Sequence, residues 1–314
     1  MNKILVTGGN GYIGARLCLH LANEGYAVTP LCYPNKPLYD NWLGKMDEVL
    51  VGDVRDDNYL TEISENGYDV IIHLVSLDHN QSNGNPTFVS SINVSPVWSI
   101  LDIFSKKGLK KFVYFSTMQV YGALTSEIVT EQNETATLNA YALTHNVGEL
   151  ICNHYNRMSA TECRIVRLSN SYGAPIFKEN NCWWLVLNDL CKNAYLNKEI
   201  VLQSDGTPQR DFIHGWDVCN AIKIIIESTN TATTFNVSSG KTLTIMDIAI
   251  KIQQVYKNIY HEVLPIKALR LKSNLVSGTY TIDNSLIRSI GYESQWTLEQ
   301  GITDLFNYLE KNNE

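Results

Sequence analysis

Residues 4–14 read Ile-Leu-Val-Thr-Gly-Gly-Asn-Gly-Tyr-Ile-Gly, and no other stretch constrains the fold as much. An apolar run ends in Gly8, Gly11 and Gly14, and an amphipathic segment from Leu17 to Leu21 follows. The order reads as strand, tight turn and helix. Such a turn aims backbone N–H groups at an anion on the helix N-terminus. Gly8 permits the turn, Gly11 lets a pyrophosphate approach the main chain, and Gly14 lets helix and strand pack closely. Tyr12 and Ile13 sit in the same cradle. The expected guest is a dinucleotide. A glycine-rich turn without a ligand is the plain alternative.

The rest of the chain fits an ordinary enzyme. Its 314 residues, 44% hydrophobic and 18% charged, can bury a large core and argue against disorder. A net charge of −7, a pI near 5.5 and the lack of a basic run argue against a nucleic-acid partner. No apolar stretch is expected to span a membrane. The N-terminus enters a strand directly, without a signal peptide, so a cytoplasmic location is expected. Cys18, Cys32, Cys152, Cys163, Cys182, Cys191 and Cys219 show neither Cys-x-x-Cys pairing nor metal spacing. They read as reduced core thiols, no metal is expected, and the sequons at Asn93, Asn133 and Asn236 are chance matches.

Strand and helix patterns alternate through the first half. Strands are predicted at Lys3–Thr7, Ala27–Cys32, Glu48–Val51, Val70–Leu74, Phe112–Ser116 and Cys163–Leu168. Long helices are predicted at Phe88–Lys106 and Ala140–Met158. This is the pattern of an α/β fold with a doubly wound parallel sheet, the Rossmann arrangement. After about Gly173 the alternation weakens, and turns such as Ser204-Asp205-Gly206-Thr207-Pro208 break up shorter elements. Residues 1–172 are read as the dinucleotide domain. Residues 173–314 are read mainly as a smaller α+β substrate domain, with segments crossing back to the sheet. Residues Lys311–Glu314 look frayed.

Further motifs follow in a fixed order: Asp53-Val54, His73-Leu74, Asn93, Ser116-Thr117, Tyr121-Gly122, Tyr141, Asn170, Tyr172-Gly173 and Arg210-Asp211-Phe212. With the glycine triplet, this order resembles the extended short-chain dehydrogenase/reductases. More narrowly, it resembles the nucleotide-sugar epimerase/dehydratase branch, and it does so up to the last helix, Leu298–Leu309. The resemblance implies roles. Asp53 and Val54 flank the adenine, Leu74 lies along the cofactor, and Asn93 stabilises the helix carrying the active site. Thr117 bonds the sugar oxygen, and Tyr141 is the catalytic acid/base. Asn170 and Arg210 contact the sugar nucleotide, Arg210 being a planar cation suited to a diphosphate. Asn181 is a looser match for the same task. The long helices resemble the pair through which the family forms homodimers.

The chemistry requires these groups. Moving a hydride to or from a sugar carbon requires moving a proton on the attached oxygen. A tyrosine can do so near neutral pH when cations stabilise its phenolate. Taken singly, Thr117 could be a strand-end hydroxyl, Tyr141 a half-buried aromatic and Arg210 a surface partner of Asp211.

Three positions depart from the family pattern. Its Tyr-x-x-x-Lys is here Tyr141-Ala-Leu-Thr-His145, with Glu149 fixing the register. In the family that lysine bonds the nicotinamide ribose; residues four apart share a helix face, so the resemblance implies that His145 lies beside the ribose and bonds a ribose hydroxyl. It supplies a cation only when protonated. The acid that ends the second strand in NAD-binding relatives is replaced by Cys32, and Lys36 follows. A carboxylate that repels a 2′-phosphate is missing, so NADP(H) is favoured over NAD(H). Met118 and Gln119 stand where the family's dehydratases carry an Asp-Glu pair, which argues against water elimination. The C-terminal diphosphate clamp is blurred, with Arg270 and Lys272 as candidates.

The expectation is an NAD(P)-dependent oxidoreductase of polysaccharide biosynthesis, acting on a nucleotide-activated sugar. A 4-ketoreductase is the first reading and a 4-epimerase the second. A binding protein that has kept the fold and lost the chemistry is the third.

Overall fold

The computed structural model describes residues 3–124, 127–268 and 279–312. Five strands begin the fold: β1 (Lys3–Thr7), β2 (Ala27–Cys32), β3 (Leu50–Val51), β4 (Val70–His73) and β5 (Lys111–Thr117). Two later strands, Glu162–Leu168 and Thr234–Val237, complete a seven-stranded parallel sheet. Across it the order is Thr234–Val237, Glu162–Leu168, β5, β4, β1, β2, β3. Ile4 and Val6 enter one apolar cluster and Leu5 the other, and all three are fully buried. Alternate side chains of a strand point to opposite faces, so helices must cover both.

The chain runs outward from β1 through β2 to β3, then crosses back to β4 on the other side. The carboxyl ends of β1 and β4 therefore border a crevice, where such folds bind ligands. Gly8 and Val75 meet there: a Cβ on Gly8 would lie 3.3 Å from Val75 Cγ2.

The helix Ala140–Met158 forms as expected, its N-terminus capped by Asn139, which accepts from Ala142 N at 2.8 Å. The helix expected at Phe88–Lys106 is two, Pro86–Asn93 and Ser95–Ser105. Pro96 has no N–H to continue the first helix, and the chain bends at Val94. Pro86–Ser105 as a whole reaches the length and apolarity of a membrane span, contrary to expectation. Its Val97, Ile100, Leu101 and Phe104 are nevertheless buried in the core between sheet and helices.

The strand expected at Glu48–Val51 is only Leu50–Val51, paired with Leu31 and Cys32 of β2; the preceding β2 residue, Pro30, has no N–H to extend the ladder to Val49. A small sheet orders Thr242–Thr244, Gln209–His214 and Asn170–Tyr172. Around it lies a separate apolar cluster that includes Leu187, Ile248, Ile252 and Leu305. Thr234–Val237 does cross back to the main sheet. The last helix, Leu298–Asn312, takes in Lys311, which was expected to fray.

Candidate active site

The glycine turn has the geometry its spacing required. Gly8 has φ +72°, a conformation that suits glycine. The Gly8 and Gly9 amides both donate to Leu31 O, at 3.0 and 3.1 Å, which ties the turn to β2. A Cβ on Gly14 would fall 2.1 Å from Gly8 O, so only glycine allows helix and turn to close up. Gly11 caps the helix Tyr12–Asn23 and makes no side-chain bond to it. A Cβ there would have only Gly8 O, at 3.1 Å, within 4 Å, so it would project into the cleft.

Gly8, Gly11, Asp53, Val54 and Leu74 line that cleft together, joined by Asn10, Tyr33, Arg55 and Ser76. A helix N-terminus at one end and apolar side chains such as Val54 at the other fit a dinucleotide. The side chains of Tyr12 and Ile13 face elsewhere, while their main chain forms the first turn of the helix after Gly11. The Tyr12 hydroxyl donates to Gly173 O at 2.9 Å, and Ile13 packs on the core.

At the far end, Asn10 donates to Tyr33 O and Asn35 O, at 3.1 and 3.3 Å, and fixes the loop after β2. Arg55 pairs with Asp53 and holds its carboxyl below the usual carboxylate range. Cys32 is fully buried. It was placed among the cofactor contacts; its side chain has no exposed surface, and it does not line the cleft. Lys36 is exposed and near enough to pull against the upward push of burial on that thiol.

Thr117 ends β5 and Tyr141 opens the Asn139-capped helix, so strand end and helix start bring them together. Burial pushes the Tyr141 hydroxyl up to about 12, the Thr117 hydroxyl pulls it down, and the Asp78 carboxylate adds to the rise. Tyr141 is thus a protonated phenol. Asn93 was also placed among the cofactor contacts. It is buried: it accepts from Leu77 N at 2.8 Å and donates to Thr144 Oγ1 at 3.0 Å. It ties the loop after β4 to the Tyr141 helix.

His145 departs from its expected role. It lies one turn from Tyr141, ring centroids 4.4 Å apart, yet it is buried. Nε2 sits 3.1 Å from Ser76 Oγ and Nδ1 3.2 Å from the Tyr114 hydroxyl. Both ring nitrogens are occupied by protein groups, which removes the expected direct bond to a ribose. Burial lowers its pKa to about 4, so it is no cation at neutral pH. Behind it, Arg167 grips Glu149 through paired bonds of 2.7–3.3 Å, and Ser116 donates to Glu149 Oε1 at 2.5 Å.

On the opposite side, Asn170 donates to Asp211 O at 2.8 Å and lies 3.8 Å from Met118 Sδ, beside Thr117. Arg210 is exposed, and its guanidinium donates to Gln209 O at 2.7 Å. It does not pair with Asp211, which is buried among Ser169, Ser239 and the Lys241 amide. Asn181 is exposed, and its main-chain carbonyl accepts from the Trp184 indole N–H at 3.0 Å. Arg270 and Lys272 lie outside the described residues. Sequence reasoning missed Ser76, Tyr33, Arg55 and Asn10. Their only signal was position, just beyond the strand ends and the glycine turn.

A family model, the NAD dependent epimerase/dehydratase family, matches residues 4–238. The low-salt glycan biosynthesis protein Agl12 of Haloferax volcanii is 23% identical over 97% of each chain. A UDP-glucose 4-epimerase of Rhizobium meliloti is 26% identical over 100% of this chain and 98% of its own. The solved UDP-glucose 4-epimerase of Stenotrophomonas maltophila, with bound NAD and formylated UDP-arabinopyranose, superposes with a TM-score of 0.84. It is 20% identical, and the match covers 100% of this chain and 99% of that one.

Proposed function

This chain belongs to the NAD dependent epimerase/dehydratase family, and on that premise we propose that it reduces a keto group at C4 of a nucleotide-activated sugar. One observation carries this reading. Tyr141 holds its proton up to about 12, beside Thr117, with a neutral ring at position 145. A phenol that stays protonated at neutral pH has its proton in place to give, although the raised pKa makes it a weaker acid, and it offers no phenolate to serve as a base. Reduction asks for the acid.

When bound, the nicotinamide dinucleotide supplies the hydride. Tyr141 gives its proton to the oxygen on the reacting carbon, and the Thr117 hydroxyl orients that oxygen. Met118 is buried, and Gln119 accepts from Asn139 at 3.1 Å. Neither offers an acid or base for eliminating water. Buried Cys32 and exposed Lys36 support NADP(H) over NAD(H). The Stenotrophomonas enzyme, by its name, holds NAD, which supports the cofactor class and not that preference.

A second reading, a 4-epimerase, is supported by relatives that carry that name. It needs Tyr141 first as a base, then as an acid, on one retained dinucleotide. Purified protein is given a nucleotide 4-ketohexose with NADH or NADPH, and separately a nucleotide hexose alone. Stoichiometric loss of reduced cofactor with the ketosugar establishes the reductase. Interconversion of C4 epimers without net cofactor change establishes the epimerase. Turnover in neither assay leaves a binding protein.

A further inference from the structure

We infer that the Ser76 hydroxyl grips the ribose at the reactive end of the dinucleotide, with His145 and Tyr114 behind it as positioning residues. The inference rests on the dinucleotide-binding part of the proposed function.

Ser76 lies in the loop just after β4 and lines the same cleft as Gly8, Gly11 and Val54. With a pyrophosphate at Gly11 and an adenine at Val54, the other half of the ligand runs toward Ser76 and Tyr141. Ser76 is exposed there. Its Oγ lies 2.8 Å from Leu77 O and 3.1 Å from His145 Nε2. The far side of the imidazole meets the fully enclosed Tyr114 hydroxyl at 3.2 Å. The ring is clamped between a core hydroxyl and a cleft hydroxyl.

A serine hydroxyl has one hydrogen and two lone pairs. Whichever imidazole nitrogen carries the proton, the hydrogen of Ser76 is claimed by Leu77 O or by His145. At least one lone pair is left, on the side open to the cleft. A ribose hydroxyl can donate to it. A lysine ammonium offers three donors and no acceptor, so here the direction of the bond is reversed.

The titratable groups around the ring hold one state from about pH 6 to 8, because every shift moves away from that window. His73 on β4 is lowered to about 3, His145 to about 4, and Tyr114 and Tyr141 are raised. Glu149 on the same helix is ion-paired with Arg167, and the Asp78 carboxylate faces Tyr141. The grip is therefore independent of pH in this range.

Calorimetry of NAD(H) and NADP(H) binding tests the inference without any turnover. Ser76→Ala should weaken binding by about three- to tenfold, the loss of one hydrogen bond. Tyr114→Phe should give a smaller loss that disappears in the Ser76→Ala background, since both act through one chain of bonds. A dinucleotide with a deoxyribose at its nicotinamide end should bind the wild type as weakly as Ser76→Ala binds the natural ligand, with no further loss in the variant. Equal affinity of wild type and Ser76→Ala overturns the inference alone. So does wild-type affinity that falls between pH 6 and 8, which would return the grip to a His145 cation. A wild type that binds no dinucleotide overturns the proposed function together with it.

Discussion

Tyr141 and His145 share a helix face, and burial holds both uncharged at neutral pH. A lysine at position 145 would bring a fixed cation within one turn of the phenol. His145→Lys should therefore lower the Tyr141 pKa from about 12 and shift the alkaline limb of the rate profile to lower pH. Activity at pH 7 should be kept or raised, as a pH–rate series would show. Enclosure of histidines has a second consequence. His145 is lowered to about 4, and His73 and His214 to about 3, all three by burial. Unfolded rings take up protons near pH 6.5, while the folded rings do not until the pH is far lower. Below pH 6.5 the unfolded chain binds more protons, so stability falls as pH falls. Each ring contributes a slope of about 1.4 kcal/mol per pH unit until its folded pKa is reached. Urea midpoints measured from pH 7 to 5 should fall steadily, and replacing His214 with Phe should flatten the slope.

At the scale of elements, the turn between β1 and its helix carries the cofactor reading. Gly11→Val should abolish dinucleotide binding in calorimetry while leaving the far-UV spectrum intact. Its side chain would fill the cleft, whereas Gly14→Val would strike Gly8 O and unsettle the fold itself. The proposed preference for NADP(H) rests on the loop after β2. Lys36→Ala should weaken NADP(H) and spare NAD(H). Equal effects on both would remove the argument for a 2′-phosphate.

For the whole molecule, the two long helical segments leave apolar side chains uncovered. Trp98 is 58% exposed, Leu143 52% and Leu150 61%. We propose that a second copy of the chain, paired across a two-fold axis, covers these side chains. Light scattering should give a dimer, about twice the 35.4 kDa of one chain. Trp98→Glu with Leu150→Glu should give a monomer of intact fold.

The central sheet was legible because its signals are local. Buried strands such as Ile4-Leu5-Val6 are continuous apolar runs, and β1, β2 and the helix Ala140–Met158 have the predicted bounds. The glycine turn was legible because its backbone demands depend on spacing alone. The break at Val94 was written in Pro96, but the apolar periodicity on both sides hid it. The state of His145 could not be read locally. Sequence places it one turn from Tyr141. Only the packing of β4 and β5 against the helix puts Ser76 on one ring nitrogen and Tyr114 on the other. The same holds for Cys32, Asn93 and the cleft residues Tyr33 and Arg55. Sequence alone determined the strands, the glycine turn and the order of the motifs, since each is written in near neighbours in the chain. Tertiary structure decided which side chains are enclosed and which face the cleft, because burial and partnership depend on segments far apart in sequence.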